Sequence, residues 1–330
     1  MRKISIGVGW RGDNTDSVLR AARVADEAGV DSLFVAETWG YDAFTLLSLL
    51  ARETKRIKLG TSIVNIFSRS PAALAQHFAT LDQLSGGRMI IGLGTSGPNV
   101  IEHFHGVRFD KPFTRIREYV EIINMLMRGE KLHYDGSIYQ LQRGFTLRFS
   151  PVRDHIPIWI ASITPKSVTQ TARIADGWIP IFIPRSQFSK QLSPVYAAVK
   201  DAGRDPRQFE IRCPNGVTVT ERPDPVVAAR RGTAAFYIAR MGDFYYEHFV
   251  RMGYGEEADA VRAAWERGGS GAAAAALSDE LVGELGTAGD VDQCVQALQA
   301  AQDAGFTTHA VNVVERDEQR RARIFEQLIG

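Results

Sequence analysis

Cysteine, excess charge of one sign and long apolar runs are all scarce in this sequence. The two cysteines, Cys213 and Cys294, lie far apart in the sequence and do not have the spacing of metal ligands. This predicts a cytoplasmic protein that has no disulfides. Lys and Arg number 39 against 38 for Asp and Glu, so the formal net charge of +1 does not favour nucleic acid or an anionic membrane surface as a partner. No apolar run approaches the roughly 20 residues of a membrane helix, and no secretory signal is expected.

What the sequence does contain is a regular alternation of short apolar runs with helical patterns. Arg88–Leu93 is such a run, and the small residues of Gly94–Pro98 follow it, which is typical of a buried parallel strand that ends beside a ligand. Seven further runs predict strands at Lys3–Gly9, Asp31–Ala36, Ile57–Ile63, Pro157–Ser162, Gly177–Phe182, Phe209–Val219 and Thr308–Val314. Eight strands alternating with helices predict an α/β fold, a (β/α)₈ TIM barrel. A doubly wound open sheet with a helical domain is the alternative.

Two segments interrupt the alternation. Residues 130–150 show period-2 stretches around Asp135-Gly136, which predict a hairpin-like insertion after strand four. Residues 223–285 lack a strand pattern and are rich in alanine and aromatic residues, which predicts a helical insertion after strand seven, over the barrel mouth. We therefore expect a single barrel domain over residues 1–330 with these two additions.

The ends of the predicted strands lack the side chains of common hydrolytic and metal sites. They show no His/Glu metal cluster, no paired carboxylates and no Ser-His-Asp arrangement, so no metal is expected there. They hold small residues, aliphatic residues and two tryptophans, Trp10 and Trp39, which could line a substrate pocket or simply pack. Chemistry that needs few protein groups is often carried by a cofactor, and an apolar slot suits an isoalloxazine-type ring. The turn Ser162–Lys166 opens a helix, where backbone N–H groups either bind phosphate or only cap the helix.

Four segments resemble the luciferase-like superfamily of flavin and deazaflavin enzymes, and within it the branch that uses coenzyme F420, such as methylenetetrahydromethanopterin reductase and F420-dependent glucose-6-phosphate dehydrogenase. They are AETWGYDAFTLLSLLARETKRIKLGTSI at 36–63, SPAALAQHFATLDQLSGGRMIIGLGTSGPNVIEHFHG at 70–106, TRIREYVEII at 114–123 and PIWIASITPKSVTQTARIADGWIP at 157–180. The resemblance covers most of residues 1–185. It implies a TIM barrel that holds the deazaflavin at its C-terminal mouth.

The resemblance also implies roles for particular residues. Glu37 and Thr38 match the pair that meets the reactive edge of the ring, although Glu37 could instead cap the next helix. The Ser62–Ile63 bond matches a non-proline cis peptide that backs the ring. The implied cofactor-binding residues are Thr61, Ser62, Ile63, Gly94, Thr95, Ser96, Gly97, Ser162, Ile163, Thr164, Pro165 and Lys166. Some relatives have a histidine where Thr38 stands and a glutamate where Gly97 stands, so their proton-donor assignments do not transfer.

These observations predict an F420-dependent oxidoreductase that transfers a hydride between the deazaflavin and an unidentified small organic substrate. An FMN-dependent monooxygenase of the same superfamily is the first alternative, and a non-enzymatic F420- or flavin-binding protein is the second. Relatives often form homodimers, so a homodimer is expected.

Overall fold

The computed structural model describes residues 1–8 and 14–330. Eight of its strands form the barrel: β1 (Ile4–Val8), β2 (Ser32–Val35), β3 (Lys58–Thr61), β5 (Met89–Gly94), β8 (Ile158–Ala161), β9 (Gly177–Ile179), β10 (Glu210–Val219) and β12 (Thr308–Val313). Each pairs in parallel with its neighbour in chain order, and β12 pairs with β1 to close the ring. The predicted (β/α)₈ TIM barrel is therefore confirmed, and the open-sheet alternative is wrong.

Helices surround this ring: α1 (Thr15–Glu27), α2 (Ala43–Glu53), α3 (Pro71–Ser85), α5 (Pro112–Met127), α6 (Pro165–Ile174), α7 (Phe188–Asp201), α12 (Val291–Asp303) and α13 (Glu318–Ile329). Local sequence sets several of their ends. Asp42 and Ser70 accept hydrogen bonds from the first turns of α2 and α3, which satisfies donors without a helical partner. Gly86 ends α3 in the left-handed region, which suits glycine.

The connections carry further elements. A short strand β4 (Val64–Asn65) pairs with β5, helix α4 (Pro98–His103) follows β5, and β6 (Leu132–Asp135) pairs antiparallel with β7 (Gln140–Phe145). Four helices follow β10: α8 (Pro223–Arg240), α9 (Asp243–Arg251), α10 (Gly255–Ala275) and α11 (Asp279–Glu284). A last short strand, β11 (Thr287–Gly289), pairs with β10.

Three differences from the sequence-based boundaries lie near the strand ends. The third barrel strand ends at Thr61 rather than Ile63, and the chain pairs again only at β4. The residues after Gly94 include a helical turn, α4, that was not predicted, because its six residues are too few to show periodicity. The three-residue strand β11 was missed for the same reason.

The buried apolar residues form separate clusters outside and inside the barrel. The largest cluster lies between most of the barrel strands and the helices outside them, and a second lies between β9, β10 and α7. Phe34, Ile90, Trp159 and Ile179 form a separate cluster inside the barrel, with Phe34 and Trp159 rings 5.4 Å apart. Helices α8 to α11 have an apolar cluster of their own. The barrel interior is thus packed, which leaves the C-terminal ends of the strands for a ligand.

Candidate active site

A cavity of about 440 Å³ lies at the C-terminal ends of the barrel strands, a size within the usual range of small-molecule sites. Most of its lining is aliphatic or aromatic. Eleven of the residues singled out in the sequence line it: Glu37, Thr38, Trp39, Ser62, Ile63, Gly94, Thr95, Ser96, Ser162, Ile163 and Thr164. Residues from separate strand ends are therefore brought together at one place.

Other residues singled out in the sequence do not line the cavity. Thr61 is fully buried, and its hydroxyl donates to the carbonyl of Gly92 at 2.7 Å. Gly97 is buried at the start of α4. Pro165 and Lys166 are exposed, and the ammonium of Lys166 lies 5.5 Å from the centre of the Phe113 ring. These four thus have structural or surface positions, and Trp10 lies outside the described residues.

The Glu37 carboxylate is committed to an ion pair at the edge of the cavity. Its two oxygens accept hydrogen bonds from the guanidinium of Arg69 at 2.6 and 3.1 Å, and one also accepts from the backbone N–H of Ala43 at 3.0 Å. Arg69 also binds Asp42 at 2.7 Å. Burial opposes ionisation of Asp42, but hydrogen bonds from Thr45 and the charge of Arg69 outweigh it and lower the pKa of Asp42. Both oxygens of Glu37 are thus occupied by donors, and one of them accepts from the first residue of α2.

Ser62, Ile63 and Gly94 shape one wall of the cavity. The Ser62–Ile63 peptide bond is cis, as the resemblance implies. A side chain at Gly94 would place its Cβ 2.9 Å from Cδ1 of Ile63, closer than atoms tolerate. A larger residue at Gly94 would therefore push the Ile63 side chain aside.

The turn before α6 forms a capping box. The Thr164 hydroxyl accepts from the backbone N–H of Ser167 at 3.2 Å, and the Ser167 hydroxyl accepts from the backbone N–H of Thr164 at 3.0 Å. These contacts support the helix-cap interpretation of Ser162–Lys166. The phosphate-binding role of the turn stays a prediction.

The helices after β10 contribute a mainly aromatic wall whose individual residues the sequence analysis did not single out. Tyr237, Met241, Phe244 and Tyr245 line the cavity, and the rings of Tyr237 and Tyr245 meet edge to face at 4.8 Å. Burial raises the pKa of both tyrosines, so both hydroxyls stay protonated near neutral pH. The aromatic run at 236–246 was visible in the sequence, but nothing local indicated which of its side chains would face the cavity.

Arg212 was also missed. It lies in the first half of β10, lines the cavity, and places its guanidinium carbon 5.0 Å from the centre of the Phe34 ring. Its N–H groups donate to the hydroxyl oxygens of Ser5 at 3.2 Å and Ser62 at 3.5 Å. Burial lowers the pKa of Arg212 to about 10, so the group is charged at neutral pH.

Over residues 1–8 and 14–330, His, Cys, Asp and Glu side chains form no group of three or more that could hold a metal ion. In the same ranges no helix combines the length and the apolar character that crossing a bilayer requires. Fold and cavity together define a parallel (β/α)₈ barrel protein with a mainly apolar ligand site at the C-terminal ends of its strands.

The comparisons with known proteins identify the family. The model of the luciferase-like monooxygenase family matches residues 5–308, so the chain belongs to that family. A Mycobacterium tuberculosis protein, provisionally named a coenzyme F420-dependent oxidoreductase, is 33% identical over 96% of this chain and 97% of its own length. The 5,10-methylenetetrahydromethanopterin reductase of Archaeoglobus fulgidus is 28% identical over 86% of each chain. The solved structure of the F420-dependent tetrahydromethanopterin reductase from Methanopyrus kandleri shares the fold, with a TM-score of 0.82 at 23% identity over 99% of this chain and 97% of its own.

Proposed function

We propose that this protein is an F420-dependent oxidoreductase that transfers a hydride between the deazaflavin and a small organic substrate. One structural observation carries the proposal. The cavity joins small and aliphatic residues of the strand ends to an aromatic wall, while its one described carboxylate, Glu37, is held by Arg69. Among the described residues, the lining has no histidine or cysteine, and chemistry that needs few protein groups is often carried by a cofactor. The name of the Mycobacterium tuberculosis relative supports F420 as that cofactor.

The residues fit a planar ring. Gly94 leaves no Cβ beside Ile63, and the cavity volume is that of a site for a drug-sized ligand. When bound, F420 supplies a ring carbon that accepts or donates a hydride. Ser62, Ile63 and Gly94 would hold one side of the ring, with Thr95 and Ser96 beside them. Thr164 and Ser167 lie at the start of α6, where the partial positive charge of a helix N-terminus favours an anionic group of the cofactor.

The helices after β10 would exclude water and hold the substrate. Tyr237, Phe244 and Tyr245 place large aromatic surfaces on the cavity, which suits a substrate with an apolar or aromatic portion. Thr38 and Trp39 stand at the exposed end of β2, and the Trp39 ring lies 6.5 Å from that of Phe236 in α8. Closure between these elements would bring the substrate against the ring in a dry site.

Titration of the purified protein with F420 and, separately, with FMN tests the proposal. We expect saturable binding of F420, followed by its absorbance, and at least tenfold weaker binding of FMN. Tight FMN binding without F420 binding would contradict the proposal and favour an FMN-dependent monooxygenase, which oxygen consumption with reduced FMN would then identify. Replacing Gly94 by Val should abolish F420 binding, whereas Gly232→Ala, in open space on α8, should leave it unchanged.

Two further expectations stay predictions. A non-enzymatic carrier would bind F420 without turning over any substrate, and a screen for oxidation of reduced F420 with ketones, enones and imines distinguishes the two roles. A homodimer is expected from the resemblance, and light scattering of the full chain measures it.

A further inference from the structure

Within residues 1–8 and 14–330, Arg212 is the only positively charged side chain that lines the cavity. It projects from β10 inside the barrel, where it contacts the face of Phe34 and the hydroxyls of Ser5 and Ser62. Ser62 belongs to the wall that also includes Ile63 and Gly94. The guanidinium therefore lies beside the part of the cavity where the ring is expected.

The contacts of Arg212 do not neutralise its charge. Ser5 and Ser62 offer neutral hydroxyl oxygens, and burial raises the pKa of the neighbouring Cys213 thiol to about 12, so that this group is neutral as well. In the described parts of the chain Arg212 belongs to none of the ion pairs. A buried charge is normally paired or fully hydrogen-bonded, because taking it out of water is costly.

Another partly buried arginine, Arg88, has a hydrogen-bond acceptor for each of its N–H groups and serves as a comparison. Arg88 donates to four backbone carbonyls and to the Thr54 hydroxyl, at 2.6 to 3.0 Å. Arg212 makes two longer contacts, at 3.2 and 3.5 Å, although a guanidinium has five N–H donors. Arg212 therefore still has N–H groups that can donate to a ligand, because its side chain faces the cavity.

We infer that Arg212 stabilises the reduced form of the bound deazaflavin relative to the oxidised form. Reduction adds a hydride, that is two electrons and one proton, to a ring carbon, so that the ring gains one negative charge until it takes up a second proton from solvent. A guanidinium with unused donors in a water-poor site favours the state with the additional negative charge. This inference rests on the proposed function and adds that the protein adjusts the reduction potential of the cofactor.

The test compares Arg212→Met, which removes the charge at similar length, with Arg212→Lys, which keeps it. Dissociation constants are measured anaerobically for oxidised and reduced F420 without substrate, together with the midpoint potential of the bound cofactor. In Arg212→Met we expect the affinity for reduced F420 to fall at least tenfold and that for oxidised F420 less than threefold. The potential should become more negative by about 30 mV for each tenfold change in the ratio of the two affinities.

Arg212→Lys should retain most of the preference for reduced F420. Arg230→Met is the matched control, because Arg230 is also partly buried and hydrogen-bonds the Gly286 carbonyl, but it does not line the cavity. Equal weakening of both redox states in Arg212→Met, or no change in either, would overturn the inference. Circular dichroism checks folding, and Arg212→Gln replaces Arg212→Met in the same comparison if methionine is not tolerated. Failure of the unmodified protein to bind F420 would instead refute the proposed function, a result that is seen before any variant is made.

Discussion

The ion pair between Glu37 and Arg69 joins the end of β2 to the chain before α3 at the edge of the cavity, and its strength can be measured. The Glu37 side chain is 9% exposed and that of Arg69 21%, with the closest oxygen and nitrogen atoms 2.6 Å apart. Asp42 shares the same guanidinium at 2.7 Å. Three substitutions probe the pair: Glu37→Gln, Arg69→Met and the double variant.

The expected magnitudes follow from this geometry. Glu37→Gln keeps the shape and one acceptor but loses the charge-assisted contacts, so the free energy of unfolding should fall by about 2 kcal/mol. Arg69→Met leaves Glu37 and Asp42 close together without their shared cation, so the fall should be about 3–4 kcal/mol. Because both changes remove the same interaction, the double variant should be about 2 kcal/mol more stable than additivity predicts.

Urea denaturation at pH 7, followed by tryptophan fluorescence, measures all three variants. The matched control is Glu53→Gln, which breaks an ion pair with Arg23 whose side chains are 37% and 46% exposed. This change should alter stability by less than about 0.5 kcal/mol. A coupling energy below about 0.5 kcal/mol for Glu37 and Arg69, or a Glu37→Gln effect no larger than the control, would refute the assignment. The Glu37 carboxylate would then not be held by Arg69.

Two further predictions concern the cavity wall and the pH dependence of stability. Gly94→Ala should weaken F420 binding about tenfold in an absorbance titration, because the new Cβ would displace Ile63, whereas Gly232→Ala should not, and equal affinities would contradict this account. The hydrogen bond with Asp176 raises the pKa of His155, so its stabilising effect is fully present below pH 6.5 and is lost as pH rises through the higher folded-state value. His155→Gln should therefore flatten the decline in Tm above pH 6.5 seen by calorimetry, and an unchanged decline would assign it to other groups.

The strands of the barrel could be predicted from the sequence because each is a short apolar run with turn residues on both sides. Arg88–Leu93 shows this well, since Met89–Gly94 is buried throughout and forms β5. Closure of the ring also followed, because eight alternating strand signals leave few other arrangements. Boundaries failed where the chain departs from regular pairing, as after Thr61.

The charged residues of the site could not be predicted, because their environments depend on long-range contacts. Glu37 stands after β2 where a catalytic group could stand, but Arg69, which binds it, is 32 residues away in sequence. Arg212 occupies a strand position that looks like any alternating polar residue. Only the closed barrel brings Ser5 and Ser62 to its guanidinium, across separations of 207 and 150 residues.

The helices after β10 have a consequence for how this protein could diverge. They pack on an apolar cluster of their own and supply Tyr237, Met241, Phe244 and Tyr245 to the cavity, while the strand ends and helices α4 to α6 supply most of the remaining lining. The walls of the cavity thus come from two parts of the protein, and each part packs on its own apolar cluster. Mutations in 223–284 could change the shape of the cavity for a new substrate without changing the strand ends that are expected to hold the cofactor. The same cofactor site could then serve reactions of several substrates.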